Sequence, residues 1–598
     1  MQRSVVLDVA LGRRPADVVV RGGNLVNVLT SEIYPGDVAI VGDKIAGTGS
    51  VDRMVGRGTL SVDAAGKYIV PGLIDAHLHT YESHLTPAGL APAALTHGTT
   101  TIATDFYGEA VVGGRDAIRA QLDAIKTLPM NFLWTLPLPA LYQDLPFLHT
   151  GSVTPEDYHE MLTWPECVGL DECFAGVVLR GDEVLLGLME EARAQGKLLT
   201  GHASEVRGLD AAAWAAYGGY LDDHECVDPD EAVEKARAGV RIVLREGSGV
   251  SDVVNCLPAI TRTGVDSRRF CFCADLLSPL DLWRRGHIDY CIRLAIQAGV
   301  PVLDAIRMGS LNAAETLGIE RWLGSVTPGK NADLCLVSSP LDQFRITDVI
   351  AKGELVVKNA AYIGTTAIPE YPAKARNTVK LSARPTAASF RVPVRSADSS
   401  AVRVIEVQDG SLITNELILN LAIVNGAFQA DPSAGVAKVA SFERHGKTGK
   451  IGLGFVSGYG LLSGAVASTY NPHCQHLLVI GVDDADMAVA ANVVADMGGG
   501  FAVVRGGQVL ARVPLPLYSL LSDATAETVV QQIEDAVAAV RSLGSPLSAP
   551  FHTLAFLGLP VVIGNLKICS LGLVDVWANK VVDLEPALEA SQTGAARV

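Results

Sequence analysis

Apolar runs that predict strands alternate with amphipathic segments that predict helices along the middle of the chain. The strand-like runs are Thr99–Thr104, Lys197–His202, Val240–Leu244 and Arg269–Cys273, and the helical segments include Asp182–Gln195 and Ile288–Ala298. Alternation of this kind over roughly 250 residues is typical of an α/β fold built on a (β/α)8 TIM-like barrel. Such barrels carry their catalytic residues at the carboxyl ends of the strands, so we expect candidate site residues there.

The two segments that flank this region share a different pattern, in which short β-rich runs are separated by Gly, Asn and Asp turns. Before the barrel these runs are Asp17–Val20, Asp37–Val41 and Lys44–Gly47, and a related pattern returns at Gly324–Val337. Patterns of this kind predict small β-sheet units. We therefore predict one small β-sandwich domain, built from residues 1–69 and 324–375, around a barrel at residues 70–323.

The last third of the chain predicts a further domain. A polar, proline-bearing stretch at 376–401 indicates a linker. Beyond it, residues 402–598 alternate strands and helices again and are long enough for a C-terminal α/β domain. Its strongest patterns are the strands Leu477–Val482 and Phe501–Arg505 and the helices Ala485–Met497 and Ala526–Leu543.

Length, composition and charge narrow the class of protein. The 598 residues predict two to four domains, and 49% hydrophobic residues with 59 glycines suit a large α/β enzyme. A formal net charge of -17 argues against nucleic-acid binding, which requires clustered Lys and Arg. No apolar stretch has the length of a membrane span or the features of a signal peptide, so we expect a cytoplasmic protein without membrane contact. The ten cysteines are sparse for the length and are expected to be reduced thiols.

The most informative local pattern is the pair His77 and His79. The apolar run Ile69–Ile74 before it predicts a short strand. On an extended backbone, side chains two residues apart share a face, so both imidazoles can reach one metal ion. Two histidines at a strand end without any ligand role are the alternative interpretation.

Four further residues occupy corresponding positions after other predicted strands: Glu172, His202, His224 and Asp275. On a barrel, all six would converge on one rim. Three protein ligands and a water complete a catalytic ion, so six ligands favour two ions. We assign His77, His79 and Asp275 to one ion and His202 and His224 to the other, with Glu172 bridging them. Two cations lower the pKa of a shared water, and Asp275 could accept its proton.

The chain resembles the adenine deaminase family of the amidohydrolase superfamily over nearly its whole length. The motifs that carry the resemblance are Pro71–His79, Leu85–Pro87, His97–Thr101, Gly201–Ala203, Asp223–Glu225, Arg245–Ser248, Gly286–Tyr290, Asp304–Met308, Pro328–Asp333, Gly452–Val456 and Asp483–Ala488. The resemblance implies conversion of adenine to hypoxanthine and ammonia at a centre of two divalent metal ions per chain, Mn, Fe or Zn. It also implies a bridging glutamate at Glu172, attack of a metal-bound hydroxide on C6 of the purine, and Asp275 as the proton shuttle.

The chain departs from the family pattern around the pocket. Tyr81 occupies the family's glutamate position and shifts Glu82 by one residue, and Phe106–Gly108, Leu276 and Tyr470–His476 also differ. The candidate substrate-binding residues are Glu82, Tyr107, Glu225 and Glu246. Glu225 could instead orient a metal ligand, and Glu246 could instead pair with Arg245 or another neighbour. His473 and His476 are interpreted as surface residues without a site role.

Three functions are compatible with this pattern. The first is hydrolytic deamination of adenine, with a small purine-like molecule as the partner. The second is an amidohydrolase acting on another aminopurine or on a cyclic amide, which the altered pocket would favour. The third is a non-catalytic metal-binding scaffold, which is less favoured because it would not require an open metal-water site. A homo-oligomer is compatible with the sequence, which does not specify one.

Overall fold

Eight parallel strands form a barrel in the computed structural model, which describes residues 3–138, 153–218, 222–395, 400–560 and 565–586. Numbered 1 to 8 in chain order, the barrel strands are Leu73–Asp75, Thr99–Thr104, Asn131–Pro137, Cys167–Phe174, Leu198–His202, Asp222–Asp223, Arg241–Arg245 and Phe270–Cys273. Strands 1 to 5 pair in one parallel sheet and strands 6 to 8 in another. The predicted barrel is confirmed.

Two junctions join the sheets into a closed barrel. Strands 8 and 1 meet where the amide of Ala76 donates to the carbonyl of Phe272 over 3.2 Å. Strands 5 and 6 are joined through a side chain, because the amide of Gly201 donates to the Asp222 carboxylate over 2.8 Å. Because all eight strands are parallel, the carboxyl ends of strands 1, 5, 6 and 8 lie at the same mouth of the barrel.

The prediction of one strand over Ile69–Ile74 is wrong, because the chain forms two strands there. Lys67–Pro71 pairs in the sheet of the β-sandwich, and Leu73–Asp75 is strand 1 of the barrel. Pro71 cannot donate a backbone hydrogen bond, and the amide of Gly72 turns to the carbonyl of Asp333 over 2.8 Å. A Cβ at Gly72 would lie 2.3 Å from Thr100 Oγ1, so only glycine fits this passage between domains.

Helices surround the barrel and pack apolar side chains against it, whereas the first helix of the chain, Arg3–Ala10, packs against the β-sandwich. From the amino terminus to the end of the barrel the α-helices are Arg3–Ala10, Pro87–Thr96, Tyr107–Ile125, Pro155–Leu162, Ala175–Arg180, Glu183–Ala194, Gly208–Gly218, Pro229–Arg237, Val253–Cys256, Pro258–Thr261, Pro279–Arg285, Ile288–Gln297, Val302–Met308 and Leu311–Thr316. Within the described ranges, no helix combines the length and the apolar composition that crossing a bilayer requires.

Strands from both flanks of the barrel form the predicted small β-sandwich. A four-stranded sheet contains Lys44–Gly49, Asp37–Val41, Val18–Arg21 and Leu60–Asp63 in spatial order. A seven-stranded sheet contains Ala361–Tyr362, Glu354–Lys358, Ile346–Ala351, Leu334–Ser338, Lys67–Pro71, Asn24–Asn27 and Glu32–Pro35. Leu334 pairs with Pro71, and side chains from both flanks share one buried cluster. Neither flank could bury this apolar face alone.

The segment that the sequence indicates as a linker contains ordered structure. It includes the 3-10 helix Ala387–Phe390 and the short strand Val392–Pro393. Phe390 is fully buried against the C-terminal domain. Residues 396–399 of this segment lie outside the described residues.

The C-terminal domain is built on one eight-stranded sheet. Its strands, in spatial order, are Thr414–Asn420, Ala401–Val407, Ile451–Ser457, Val436–Phe442, Leu477–Gly481, Ala465–Ser468, Gly500–Arg505 and Gln508–Pro514. Smaller sheets contain Val392–Pro393, Ala427–Phe428 and Ile423–Val424, and then Leu566–Cys569, Gly572–Asp575 and Lys580–Val582. The helices are Asp484–Asp496, Ala526–Ser542 and Pro550–Leu557.

The C-terminal domain contacts the barrel next to the segment that carries His77 and His79. Leu85 forms a parallel bridge with Ser522, and the His84 Nδ1 atom lies 3.3 Å from the carbonyl oxygen of Leu520. This packing places part of the C-terminal domain at the barrel mouth. All ten cysteines lie within the described residues, and none forms a disulfide bond.

Candidate metal centre

The structure brings the six predicted metal ligands together at the barrel mouth. His77 and His79 follow strand 1, Glu172 lies in strand 4, His202 ends strand 5, His224 follows strand 6 and Asp275 follows strand 8. Glu172 and Asp275 have backbone φ angles of 50° and 55°, which are unusual for residues with a Cβ. At Glu172 this conformation coincides with an irregularity in the pairing of strands 4 and 5 and directs the carboxylate into the mouth.

In one group of predicted ligands, the distances between the ligand atoms are those expected around a single ion. His77 Nε2 and His79 Nε2 are 3.3 Å apart, and Asp275 Oδ1 lies 3.5 Å from each of them. Ligands about 2.1 Å from a tetrahedral zinc ion are about 3.4 Å from one another. These three side chains therefore fit one divalent ion.

A second group lies beside the first and shares an oxygen with it. Glu172 Oε1 is 3.5 Å from His202 Nδ1 and 3.8 Å from His224 Nε2. The same oxygen is 3.4 Å from His79 Nε2. A carboxylate oxygen between two groups of imidazoles has the geometry of a bridge between two ions.

The unpaired nitrogens of the second group also fit a cation. His202 Nδ1 and His224 Nε2 are buried, and Glu172 Oε1 lies 3.5 and 3.8 Å from them without forming a hydrogen bond to either. Burying such atoms without a partner is costly, and a metal ion would be that partner. Burial lowers the pKa of His224 to about 4, with a smaller contribution from His77. The ring is therefore neutral near pH 7, which is the form that binds a metal.

Two carboxylates that the sequence analysis did not single out orient the first pair of histidines. Asp105 Oδ2 lies 3.1 Å from His79 Nδ1, and Asp171 Oδ1 lies 3.5 Å from His77 Nδ1. Burial lowers the pKa of His79, but the charges and hydrogen bonds of Asp105 and Glu172 together outweigh it and raise that pKa overall. Carboxylates in these positions fix the ring orientation of metal-binding histidines. Asp105 follows strand 2, and Asp171 directly precedes Glu172 within strand 4, and these positions are the signal that could have identified them.

Arg245 is a further residue with a role that the sequence did not predict. Its guanidinium contacts Glu225, donates to Asp275 Oδ2 over 3.1 Å and donates to Asp252 over 3.0 Å. The alternative interpretation that Arg245 pairs with Glu246 is wrong. Glu246 instead accepts a hydrogen bond from Ser251 over 2.6 Å, and burial raises its pKa to about 7.

A buried lysine supports the segments that carry the second pair of histidines. Lys235 Nζ lies 2.7 Å from Asp223 Oδ2 and also contacts the carbonyl of Ala203. The other oxygen of Asp223 accepts hydrogen bonds from the amides of Ala203, over 3.0 Å, and Glu225, over 3.2 Å. These backbone groups directly follow His202 and His224, so the Lys235–Asp223 pair holds both segments together.

Three of the four predicted substrate-binding residues border the cluster. Glu82 is fully buried, accepts a hydrogen bond from the hydroxyl of Tyr470 and has its pKa raised by burial to about 8. The ring of Tyr107 lies 6.2 Å from that of His79, and its buried hydroxyl has no partner. Glu225 Oε1 is 3.7 Å from His224 Nε2. Glu246 makes its contact away from this group.

The expectation that His473 and His476 lie at the surface is wrong. His473 is 5% exposed and His476 is fully buried. The His473 ring lies 5.4 Å from that of Tyr107, so a C-terminal residue borders the cluster. The signal in the sequence was the departure of Tyr470–His476 from the family pattern.

Comparison with known proteins shows which proteins this chain resembles. The amidohydrolase family model matches residues 68–356, and the model of the adenine deaminase C-terminal domain matches residues 411–580. An adenine deaminase of Moorella thermoacetica is 37% identical over 96% of this chain and 97% of its own length. Adenine deaminase 3 of Rhizobium meliloti is 38% identical over 96% of both chains. An adenine deaminase of Paracoccus denitrificans is 38% identical over 97% of both chains.

Proposed function

The chain belongs to the adenine deaminases of the amidohydrolase family, and we propose that it hydrolyses adenine to hypoxanthine and ammonia. The observation that carries this proposal is the largely buried cluster of four histidines and two carboxylates at the barrel mouth. The altered residues around the cluster make the substrate, rather than the hydrolytic chemistry, the part that most needs a test. A cytoplasmic location and a homo-oligomer stay predictions of the sequence.

The residues present fit a centre of two divalent ions, with Mn, Fe and Zn as the candidates. His77, His79 and Asp275 would hold one ion, and His202 and His224 would hold the other, with Glu172 between them. When bound, such ions supply Lewis acidity that lowers the pKa of the attacking water.

Asp275 is suited to move the proton that the reaction transfers. The water oxygen forms a bond with C6 of adenine, and the bond from C6 to the exocyclic nitrogen breaks. One proton of the water passes through Asp275 to the leaving amine, which departs as ammonia. The other is transferred to N1, and the water oxygen becomes the C6 carbonyl oxygen of hypoxanthine. Asp275 lies beside both His77 and His79, so its carboxylate is within the reacting region.

Other side chains of the pocket would bind and orient the purine. Glu82, with a pKa of about 8, keeps its proton near pH 7 and could donate it in a hydrogen bond to a ring nitrogen. Tyr107 has a buried hydroxyl available for a second hydrogen bond. Glu225 contacts Arg245 and lies beside His224, which favours a role in orienting the ligands.

The test is turnover by purified, Mn-loaded, full-length protein. Adenine, other aminopurines and cyclic amides are offered separately, and ammonia release and ring opening are measured. We expect ammonia from adenine, and we expect His202→Ala and Asp275→Asn to abolish it. Asp123→Asn, at an exposed carboxylate, is the control and should keep full activity. Ring opening of a cyclic amide without turnover of adenine would favour the second function, and no turnover of any compound would favour the scaffold.

A further inference from the structure

A loop of the C-terminal domain, residues 470–476, contributes side chains to the barrel mouth. Tyr470 donates to Glu82, and His473 packs its ring 5.4 Å from Tyr107 and 6.3 Å from Phe174. The Nδ1 atom of His473 is buried and makes no hydrogen bond. Because the ring faces Tyr107 and Phe174 at the barrel mouth, a ligand bound there could complete the hydrogen bonding of this nitrogen.

Three rings form an arc, which we call the aromatic arch, over the predicted metal ligands: Tyr107, Phe174 and His473. One end of the arch lies 6.2 Å from His79, where Tyr107 approaches it. The other end lies 4.3 Å from His202, where Phe174 packs edge-on against the imidazole. His79 and His202 belong to the two different ligand groups, so the arch spans both. Aromatic rings in such an arrangement offer a face to a planar heterocycle.

The backbone holds His473 in place at an energetic cost. His473 and Gln475 have φ angles of 66° and 47°, each unfavourable for a residue with a Cβ. Three polar groups anchor the loop against this cost. Arg444 Nε donates to the carbonyl of Gln475, His445 Nε2 lies 2.8 Å from the carbonyl oxygen of Cys474, and Asn471 donates to the carbonyl of Ala555 over 3.0 Å. These contacts fix the backbone of the loop and therefore the position of the His473 ring.

We propose that His473 contacts the substrate, with Nδ1 hydrogen-bonded to a ring nitrogen of the purine and the arch packed against the purine face. The C-terminal domain thereby helps to determine specificity at the metal centre of the barrel. This inference rests on the proposed function, because it concerns the same pocket. The neutral imidazole has one donor and one acceptor nitrogen, so it can match either kind of purine ring nitrogen.

A role of His473 in packing alone is the competing explanation. His476 shows what that role looks like in the same loop: it is fully buried, and its Nδ1 lies 3.5 Å from Ser441 Oγ within the C-terminal domain. His473 differs because its ring faces Tyr107 and Phe174 of the barrel. His476 is therefore the matched control.

The experiment compares wild-type protein with His473→Phe, His473→Asn and His476→Asn, all full-length and Mn-loaded. Steady-state kinetics with adenine and calorimetric binding of hypoxanthine are measured, with metal content and melting temperature recorded for each variant. His473→Phe keeps a ring in the arch and removes the nitrogen. We expect it to raise KM about tenfold and to weaken hypoxanthine binding in parallel, with kcat within about threefold, because the lost hydrogen bond serves binding. His473→Asn should recover part of the affinity, and His476→Asn should keep the wild-type KM.

The possible failures are distinguishable. If wild-type protein releases no ammonia from adenine, the proposed function is overturned, and the inference about its pocket is overturned with it. If wild-type protein turns adenine over and His473→Phe keeps KM within twofold, only the role of His473 is overturned. If His473→Phe loses metal or melts early, His473→Asn decides, because a wild-type KM and hypoxanthine affinity in that variant would also overturn the role.

Discussion

Arg245 donates a hydrogen bond from Nη1 to Asp275 Oδ2 over 3.1 Å, and both side chains are buried. The other oxygen of Asp275 faces His77 and His79, so one carboxylate connects the guanidinium to the predicted metal ligands. Burial raises the pKa of Asp275, but the hydrogen bond with His77 and the charge of Arg245 outweigh it and lower that pKa well below its usual range. Asp275 is therefore ionised near pH 7 and able to bind a cation or accept a proton.

Replacing the guanidinium tests this connection. We expect Arg245→Lys to lower kcat/KM for adenine about 10- to 100-fold, a range found for residues that orient metal ligands. One ammonium cannot reach Asp275, Glu225 and Asp252 together as the planar fork of arginine does. Steady-state kinetics would measure the effect. Arg268→Lys, at an exposed arginine, is the control, and a wild-type kcat/KM in Arg245→Lys would contradict the expectation.

Metal content tests the bridging position of Glu172. Elemental analysis of wild-type protein should give two divalent ions per chain. Glu172→Gln should give one or fewer, because a neutral amide oxygen is a weaker ligand and cannot offset the charge of two cations. Glu156→Gln, at an exposed helix position, is the control. One ion per wild-type chain would contradict the bridge.

Metal removal should also lower stability. A chelator removes the metal ions, which bind only the folded state. The melting temperature should therefore fall for wild-type protein and fall less for Glu172→Gln. Differential scanning calorimetry with and without chelator would measure both shifts. Equal melting temperatures of chelated and loaded wild-type protein would show that no ion stabilises the fold.

The Lys235–Asp223 pair is expected to stabilise the barrel mouth. Lys235→Met leaves Asp223 and Glu231 buried without their cation, which costs about 3–5 kcal/mol in comparable cases. Chemical denaturation would measure that loss, and metal content should fall because the segments after His202 and His224 lose their anchor. Lys126→Met, at an exposed ion pair, should change neither quantity. Full stability of Lys235→Met would show that the pair is not needed.

A buried lysine of the C-terminal domain should make stability depend on pH. Lys567 is fully buried and donates to the carbonyl of Leu412 over 2.7 Å, and burial lowers its pKa to about 7. Between pH 7 and the ordinary lysine pKa, about 10.4, the unfolded chain binds this proton and the folded chain does not. The free energy of unfolding should therefore rise with pH across that window as far as Lys567 contributes.

Lys567→Met removes this dependence. The difference in stability between Lys567→Met and wild type should favour the variant most at pH 7 and below, by up to about 5 kcal/mol, and should decline towards pH 10. Urea denaturation at several pH values would measure the difference. Lys580→Met, at an exposed lysine, should show a difference that does not change with pH. A stability difference between Lys567→Met and wild type that does not change with pH would contradict the prediction.

Much of the barrel and the set of candidate metal ligands could be predicted from local sequence. The strand Thr99–Thr104 and the helix start at Ile288 agree with the apolar pattern, since burial of one face imposes a period on the chain. His202 and Asp275 could be identified because the barrel brings all strand ends to one rim. The interruption between the two strands at Gly72 could not be predicted, because it depends on how closely Thr100 approaches the backbone of Gly72.

The sequence by itself predicted a (β/α)8 barrel with six candidate metal ligands, because strand periodicity and side-chain type are properties of neighbouring residues. Only the tertiary structure decided which residues surround them. Tyr470 and Glu82 are 388 positions apart yet hydrogen-bonded, and His473 enters the mouth although its own pattern suggests a surface loop. Contacts between residues so distant along the chain are set by how whole domains pack, and no local pattern records that packing.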